Sequence, residues 1–211
     1  DFPKSIDNSQ KSGKIENVNK SSTSHMNDEA RAVFDTFQLK TSGKGLKHEE
    51  AVVCTNEGKI VIQKRGKSHQ VSFYLFEAKQ MKGSNLLHNH PSHDSILSPA
   101  DTESLHDELK SCSMCDLDGH RMSIVYADDI TVKERVLFAN AYKEAFEKAS
   151  EISKREFNAN RKEAEKTLYS DIRRTKRFYQ DYKYYQDIVK REIKKWTDEN
   201  AAKYKVEVFY E

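Results

Sequence analysis

The chain of 211 residues is long enough for one domain with its own core, since domains typically run to about 100–200 residues. Lys and Arg number 36 against 34 Asp and Glu, so a formal net charge of +2 does not by itself indicate a nucleic-acid-binding protein. No run approaches the roughly 18 apolar residues of a membrane-spanning helix, and the first residues lack the apolar segment of a secretory signal peptide. The odd number of three cysteines argues against a disulfide scaffold and predicts a reducing, cytoplasmic setting.

The amino-terminal segment predicts an arm without a core of its own. Residues 1–27 are rich in Lys, Ser, Asn and Asp, and they bury too little apolar surface to offset the entropy of ordering them. We therefore expect this arm to be disordered or loosely attached. Ala30, Val33, Phe34 and Phe37 then follow at helical spacing, which predicts a short helix.

Apolar and β-branched segments after this helix predict a sheet. Two runs within residues 49–66 have the composition of a β-hairpin, with Gly58 able to adopt a positive φ in the turn. Further strands are expected at residues 71–76, 84–90 and 121–127. Ser98 followed by Pro99 is typical of a helix N-terminus, and this helix is expected to run through Leu109 to about residue 111.

Residues 132–211 predict a charged helical extension. The chain has neither glycine nor proline beyond Gly119, and helix-favouring Ala, Glu, Lys and Arg dominate from Val132. Apolar residues recur on one helical face, at Leu168, Ile172, Tyr179, Tyr182, Val189, Ile193 and Trp196. A break or bend between two helices is expected at residues 158–160. After Lys205 the side chains alternate with a period of two residues, which predicts a terminal strand that returns to the sheet.

One motif points to chemistry: His88-x-His90, seven residues, then Ser98-x-x-Asp101. Two histidines two residues apart at the end of a strand project to the same side, and an aspartate in the first turn of the next helix can reach back towards them. Two imidazoles and a carboxylate around a fourth, open position form the pattern of a catalytic zinc site. The motif therefore predicts His88, His90 and Asp101 as ligands of one Zn²⁺.

This H-x-H and S-x-x-D spacing resembles the signature of the JAB/MPN, or JAMM, zinc metallopeptidases, and the run HNHPS is similar to their RadC-like bacterial branch. The resemblance covers residues 48–130. It implies an α/β fold over residues 28–131, a JAB/MPN-like (cytidine-deaminase-like) mixed sheet with flanking helices. It also implies hydrolysis of peptide or isopeptide bonds by a metal-activated water, with Ser98 beside the metal, where it caps its helix and helps to hold the developing oxyanion.

The same family takes its general base from a glutamate on an early strand, and Glu49 and Glu50 both precede an Ala-Val-Val run. Glu49 is the preferred base, because in related bacterial and phage-associated sequences we would align a Glu, one further residue and then this run. Glu50 is the alternative. Successive strand residues point to opposite faces, so only one of the two can face the zinc. The hairpin and the stretch TDENAAKYKVEVFY also resemble phage-associated JAB-like proteins.

Simpler interpretations stay open beside these. A lone H-x-H is more often a solvent-exposed polar loop than a metal site, and Ser98 can act only as an N-cap. His93 and His106 are expected on the surface, with His93 a candidate substrate contact. Cys112-x-x-Cys115 lacks the second Cys or His pair of a structural zinc site, so the two cysteines are more simply small residues at the end of the preceding helix.

Residues 132–205 contain 20 Lys and Arg but only 13 Asp and Glu. This excess is typical of the solvated face of amphipathic helices, with Tyr and Trp in the core, and it also fits a surface for nucleic acid or a protein partner. The function predicted from the whole sequence is that of a zinc metallopeptidase or isopeptidase acting on a protein or peptide. The alternatives are a RadC-like metal-binding module associated with DNA and a phage-associated assembly protein.

Overall fold

The computed structural model of the chain describes residues 26–42, 46–68, 70–92, 94–104, 109–167 and 174–211. Its helices are α1 (Asp28–Thr41), α2 (Leu75–Ala78), α3 (Pro99–Ser104), α4 (Val132–Thr167) and α5 (Arg174–Asn200), followed by a 3₁₀ turn at Ala201–Tyr204. Its strands are β1 (Glu50–Cys54), β2 (Ile60–Arg65), β3 (Asn85–Asn89), β4 (Ser111–Cys115), β5 (Arg121–Tyr126) and β6 (Val206–Tyr210). The predicted α/β class is confirmed.

The strands form one mixed six-stranded sheet in the order β2-β1-β3-β4-β5-β6. β3 and β4 are parallel, and every other neighbouring pair is antiparallel. The β1–β2 pair is the predicted hairpin, and Gly58 takes a φ of +74° in its turn. Gly58 also lies too close to Glu29 for a side chain, because a Cβ there would come within 2.8 Å of that residue.

Helices cover both faces of the sheet, and the alternation of strand residues decides which helices each side chain meets. Val52 and Leu87 point towards α1 and pack with its Phe34 and Phe37. Their neighbours on the strands, which include Val53 and Leu86, belong to the larger core on the opposite face. That second face is covered by α3, α4 and α5. His88 lies two residues after Leu86 on β3 and therefore shares its face. The metal motif thus lies on this second side of the sheet.

The carboxy-terminal helices belong to the same core as the sheet. Phe138 and Tyr142 of α4 and Ile193 of α5 are completely buried, and Trp196 packs against both aromatic rings. β6 pairs with β5 along its whole length, as the alternation after Lys205 predicts. None of the helices in the described ranges is both long enough and apolar enough to cross a membrane.

Residues 71–76 do not form the expected strand. Residues 71–74 are irregular, and α2 begins at Leu75. The Glu77 carboxylate accepts hydrogen bonds from the Tyr74 main-chain N–H at 2.6 Å and from Lys64 Nζ at 2.7 Å. This capping interaction favours a helical turn despite the β-forming composition of the segment.

Two helix predictions are also wrong in detail. α3 is shorter than expected, because Leu109 lies outside it and residues 111–115 form β4, buried at every position. The expected break at residues 158–160 is absent, since α4 continues to Thr167. Asn costs well under about 1 kcal/mol in a helix, and the flanking Ala, Glu, Lys and Arg residues outweigh it. Most of the predicted arm, residues 1–25, lies outside the described residues, whereas Met26 is buried against α1.

Candidate metal centre

His88 lies on β3, in the middle of the sheet, and its side chain is buried. It pairs with Ala51 of β1 on one side and with Met114 of β4 on the other, so its main chain is fixed by both neighbours. The ring also hydrogen-bonds the backbone of Ser113. Burial lowers the pKa of His88, although the nearby Asp101 carboxylate opposes this effect, and the imidazole is therefore neutral at neutral pH. A neutral imidazole is the form that binds metals.

His90 follows directly after β3 and turns its ring towards His88. Its main-chain N–H donates to the Cys115 carbonyl at 2.8 Å, which continues the parallel pairing one residue beyond the strand. Nδ1 lies 3.0 Å from the main-chain oxygen of Asp94, an acceptor, so Nδ1 carries the proton in this hydrogen bond. Nε2 then presents its lone pair to the site, 3.1 Å from Nε2 of His88.

Asp101 completes the group from the first turn of α3. Its Oδ1 lies 3.4 Å from Nε2 of His88, and its Oδ2 lies 3.9 Å from Nε2 of His90. The Ser98 hydroxyl and main-chain N–H donate to Oδ2 at 2.7 Å and 2.6 Å. Burial raises the pKa of Asp101, but the two histidines and Ser98 outweigh it, and the pKa lies below its usual value. The carboxylate is therefore ionised.

The three side chains place one ligand atom each within 4.8 Å of one another. The Nε2 atoms of the two imidazoles and the ionised carboxylate of Asp101 form a donor set that fits Zn²⁺ and leaves a coordination position open. All three predicted ligands are thus brought together from two short segments of chain, the end of β3 and the first turn of α3. The arrangement supports a metal site.

Glu49 and Glu50 lie on opposite sides of the sheet. Glu49 shares the face of Ala51 and lines the same cavity as His88 and Asp101. Glu50 faces α1, where its Oε1 lies 3.0 Å from Nε2 of His48 and its Oε2 lies 3.6 Å from Nζ of Lys40. Of the two candidate bases, the structure therefore brings only Glu49 to the metal ligands.

Burial raises the pKa of Glu49 to about 7, although the nearby His90 lowers it and the Asp101 carboxylate raises it further. The main-chain N–H of Val71 donates to the Glu49 side chain. A carboxyl group with a pKa near neutrality can both accept and release a proton at neutral pH, which suits a general base that later acts as an acid.

The metal ligands, Ser98 and Glu49 line one cavity of about 430 Å³. Residues 70–73 form its opposite wall, so the segment that was expected to be a strand serves instead as part of the site. Tyr74, Leu75 and Phe76 follow this wall and are largely exposed, with the rings of Tyr74 and Phe76 stacked at 5.6 Å. An exposed apolar segment therefore follows the cavity wall directly in the chain.

Neither cysteine of the Cys112-x-x-Cys115 motif lines the cavity. Cys112 and Cys115 lie on β4 rather than at a helix end, and they contribute to the cores on opposite faces of the sheet. They cannot bind one metal ion together, because three-residue spacing on a strand separates their side chains. All three cysteines are free and buried. His93 and His106 lie outside the described residues.

A second group of potential ligands, Asp116, Asp118 and His120, lies in the β4–β5 turn. The Asp116 carboxylate accepts hydrogen bonds from the His120 main-chain N–H at 2.8 Å and from its Nδ1 at 2.9 Å. Asp118 and His120 are exposed. These bonds close the turn, so the group has a structural explanation. The run D-x-D-G-H is its signal in the sequence.

Comparisons with family models, with curated proteins and with solved structures found no match. The resemblance to the JAB/MPN family therefore stays a prediction carried by the motif and by the arrangement of the site.

Several basic residues of the extension form ion pairs among the residues whose side chains are described. Arg191 contacts Glu156 at 2.8 Å, and Lys205 contacts Asp129 at 2.9 Å and Glu134 at 3.2 Å. The remaining pairs link Lys143 to Glu103, Lys183 to Asp118 and Lys194 to Asp198. This pairing is typical of the solvated face of amphipathic helices, the first of the two interpretations of the charge excess.

Proposed function

We propose that the chain is a metal-dependent hydrolase of peptide or isopeptide bonds that binds one Zn²⁺. The observation that carries the proposal is the convergence of His88, His90 and Asp101 with Glu49 in one cavity. The ligand set leaves a coordination position open, and a carboxyl group of near-neutral pKa lies on the same side. Together these are the components of hydrolysis by an activated water.

In this proposal, His88, His90 and Asp101 hold the metal. A bound zinc ion supplies a Lewis acid that polarises the scissile carbonyl and lowers the pKa of a water molecule. Ser98 orients Asp101, because its hydroxyl and main-chain N–H both donate to one carboxylate oxygen. Its predicted contribution to the oxyanion requires the hydroxyl to release this bond and turn towards the substrate.

Glu49 moves the protons of the reaction. The carboxylate takes a proton from the attacking water as the water oxygen forms a bond to the carbonyl carbon. The protonated Glu49 then gives this proton to the leaving nitrogen as the C–N bond breaks, so the products are a carboxylic acid and an amine. The Val71 N–H, which donates to the Glu49 side chain, holds the carboxylate in place.

A polypeptide is the proposed substrate. The cavity combines carboxylate and imidazole groups with the apolar side chains of Val71, Phe73 and Leu86. The exposed Tyr74, Leu75 and Phe76 beside it extend this apolar character beyond the cavity. Nucleic-acid binding through residues 132–205, the main alternative, is favoured less because several of the described basic side chains there, among them Arg191, Lys194 and Lys205, pair with acidic ones.

The metal centre is tested by elemental mass spectrometry of protein purified without added metal. We expect about one zinc per chain in the wild type and none in a His88→Ala/His90→Ala variant, because two of three ligands are lost. His120→Ala is the matched control and should keep its zinc, since His120 lies in the separate turn group. Wild-type protein that takes up no metal even when zinc is offered would overturn the proposal.

The general base is tested by Glu49→Gln in a screen of peptide and isopeptide substrates. We expect turnover to disappear while the zinc content stays at the wild-type level, because the amide cannot accept the proton and the ligands are unchanged. Glu50→Gln is the control and should stay active, since Glu50 faces α1. Full activity of Glu49→Gln would overturn the assignment of Glu49 as the general base.

A further inference from the structure

Helix α5 reaches the metal centre through a chain of hydrogen bonds that the motif does not predict. The loop between β3 and α3 carries Asp94, whose main-chain oxygen lies 3.0 Å from Nδ1 of His90. The Asp94 side chain accepts a hydrogen bond from Ser92 Oγ at 2.9 Å. It also accepts one from the Tyr182 hydroxyl, which lies 2.9 Å from Oδ1 and 3.0 Å from Oδ2. Tyr182 belongs to α5, 88 residues away in the chain.

A second hydrogen bond to the Tyr182 hydroxyl fixes the direction of its hydrogen bond with Asp94. Gln186, one helical turn further along α5, donates from Nε2 to the Tyr182 hydroxyl oxygen at 3.0 Å. The phenol proton is therefore free to point at Asp94. Burial, together with the Asp94 carboxylate, raises the pKa of Tyr182 to about 12, so the hydroxyl is a donor at neutral pH.

We propose that Tyr182 is a positioning residue of the metal centre, which holds Asp94 so that the Asp94 carbonyl orients the ring of His90. The inference rests on the proposed function, because it assigns a task to α5 only if His90 binds a metal. Tyr182 itself does not touch the metal ligands. It acts through one side chain and one main-chain carbonyl.

The physical reason is that a metal-binding histidine needs its second nitrogen fixed. A hydrogen bond from Nδ1 to a carbonyl selects the tautomer whose Nε2 lone pair faces the metal, and it restrains the rotation of the ring. Asp94 lies in an irregular segment, where no strand or helix pairing holds its carbonyl. The side chain of Asp94 restrains this segment through the hydrogen bonds that it accepts from Ser92 and Tyr182.

The test is the binding of Co²⁺ and Zn²⁺ to the full chain with Tyr182→Phe. Co²⁺ reports the ligand geometry through its visible absorption bands, and Zn²⁺ affinity is measured by competition with a chelator. We expect Tyr182→Phe to bind Zn²⁺ about 10-fold more weakly, at the lower end of the loss typical for outer partners of metal ligands, and to shift the Co²⁺ bands. Tyr184→Phe makes the same chemical change two residues away on α5 and should leave both readouts at wild-type values.

A second variant provides a test that still applies if Tyr182→Phe does not fold. Asp94→Ala retains the main-chain carbonyl but removes both oxygens that accept from Tyr182, and it should also weaken Zn²⁺ binding and shift the Co²⁺ bands. Because both side chains act through one hydrogen bond, the double variant should lose little more affinity than either single variant.

The outcomes separate this inference from the proposed function. Wild-type protein that binds neither Co²⁺ nor Zn²⁺ would overturn both. Wild-type protein that binds both ions, with affinity and Co²⁺ bands unchanged in Tyr182→Phe or in Asp94→Ala, would overturn the positioning role alone. Additive losses in the double variant would also overturn it, since they would mean that the two side chains act separately.

Discussion

Glu49 and Glu50 are adjacent in the chain and have opposite environments. Glu49 is partly buried and lies near the negatively charged Asp101 carboxylate. Both effects disfavour the ionised form, so the pKa of Glu49 is raised to about 7. Burial also raises the pKa of Glu50, but the hydrogen bond to His48 and the charge of Lys40 outweigh it, and the pKa lies below its ordinary value. The pleat of one strand thus separates a carboxylate suited to proton transfer from one suited to an ion pair.

The raised pKa of Glu49 predicts a pH-dependent cost to stability in the metal-free protein. Between pH 4.5 and about 7, folded Glu49 keeps a proton that the unfolded chain has released, so stability falls as pH rises through this window. Glu49→Gln removes this cost. We therefore expect the variant to gain about 1 kcal/mol relative to the wild type between pH 5 and pH 8, a value reduced because the carboxyl is only half-buried. Urea unfolding at the two pH values measures it.

The comparison with the wild type is essential, because His88 acts in the opposite direction. Burial lowers the pKa of His88, so the folded state binds fewer protons there and stability rises with pH. This contribution is common to both proteins and cancels in the difference. Glu151→Gln, exposed on α4, is the control and should show a constant difference from the wild type. A constant difference for Glu49→Gln as well would contradict the raised pKa.

At the scale of elements, the grouping of the candidate metal ligands could be predicted from the sequence and the opposite wall of the cavity could not. His88, His90 and Asp101 lie at a strand end and a helix start, which Leu86, Leu87, Ser98 and Pro99 predict locally. Residues 71–76 have the composition of a strand, but a long-range hydrogen bond from Lys64 and the capping by Glu77 decide their conformation. Tyr182 and Asp94 meet only in the folded chain, so no spacing of residues in the sequence could predict their contact.

Gly66, in the turn after β2, is expected to be sensitive to substitution. Its main-chain N–H donates to the Glu49 carbonyl at 2.8 Å. A Cβ on this glycine would come within 2.1 Å of the Gln70 main-chain oxygen and 2.8 Å of Val71 Cγ2. The backbone must shift to accept Gly66→Ala, and Val71, the hydrogen-bond donor to the Glu49 side chain, moves with it.

We expect Gly66→Ala to lower the free energy of unfolding by about 1–3 kcal/mol, the usual range for overpacking. Hydrolytic activity should fall as well, while the zinc content stays near that of the wild type, because the metal ligands lie on other segments. Chemical denaturation and elemental analysis measure the two effects. Ser68→Ala, at an exposed position of the same turn, should change neither. Wild-type stability of Gly66→Ala would show that the turn relaxes without cost.

At the scale of the whole molecule, the charged extension is built into the sheet domain. The alternation after Lys205 predicts β6, and the helical spacing of Val189, Ile193 and Trp196 predicts a buried face. The sequence could not predict which surface this face would cover, because helical periodicity describes one helix and carries no information about its partner. In the structure it covers the side of the sheet that bears the metal centre, and this contact brings Tyr182 to Asp94.

This shared core predicts that the sheet and the extension unfold together. Trp196 is the only tryptophan in the chain and packs on Phe138 and Tyr142, so its fluorescence reports the contact between α5 and the core. Far-UV circular dichroism reports all helices and strands. We expect the two signals to give coincident urea transitions, as in two-state unfolding of a single domain.

Ile193→Ala should shift both transitions equally and lower the free energy of unfolding by about 2–5 kcal/mol, because it leaves a cavity at a completely buried position. Lys195→Ala, exposed two residues away on α5, should leave both transitions in place. Two separate transitions, with only the fluorescence signal displaced by Ile193→Ala, would mean that the extension unfolds independently of the sheet. Tyr182 would then be held near Asp94 only while α5 remains docked, and loss of the fluorescence signal would precede loss of the metal centre.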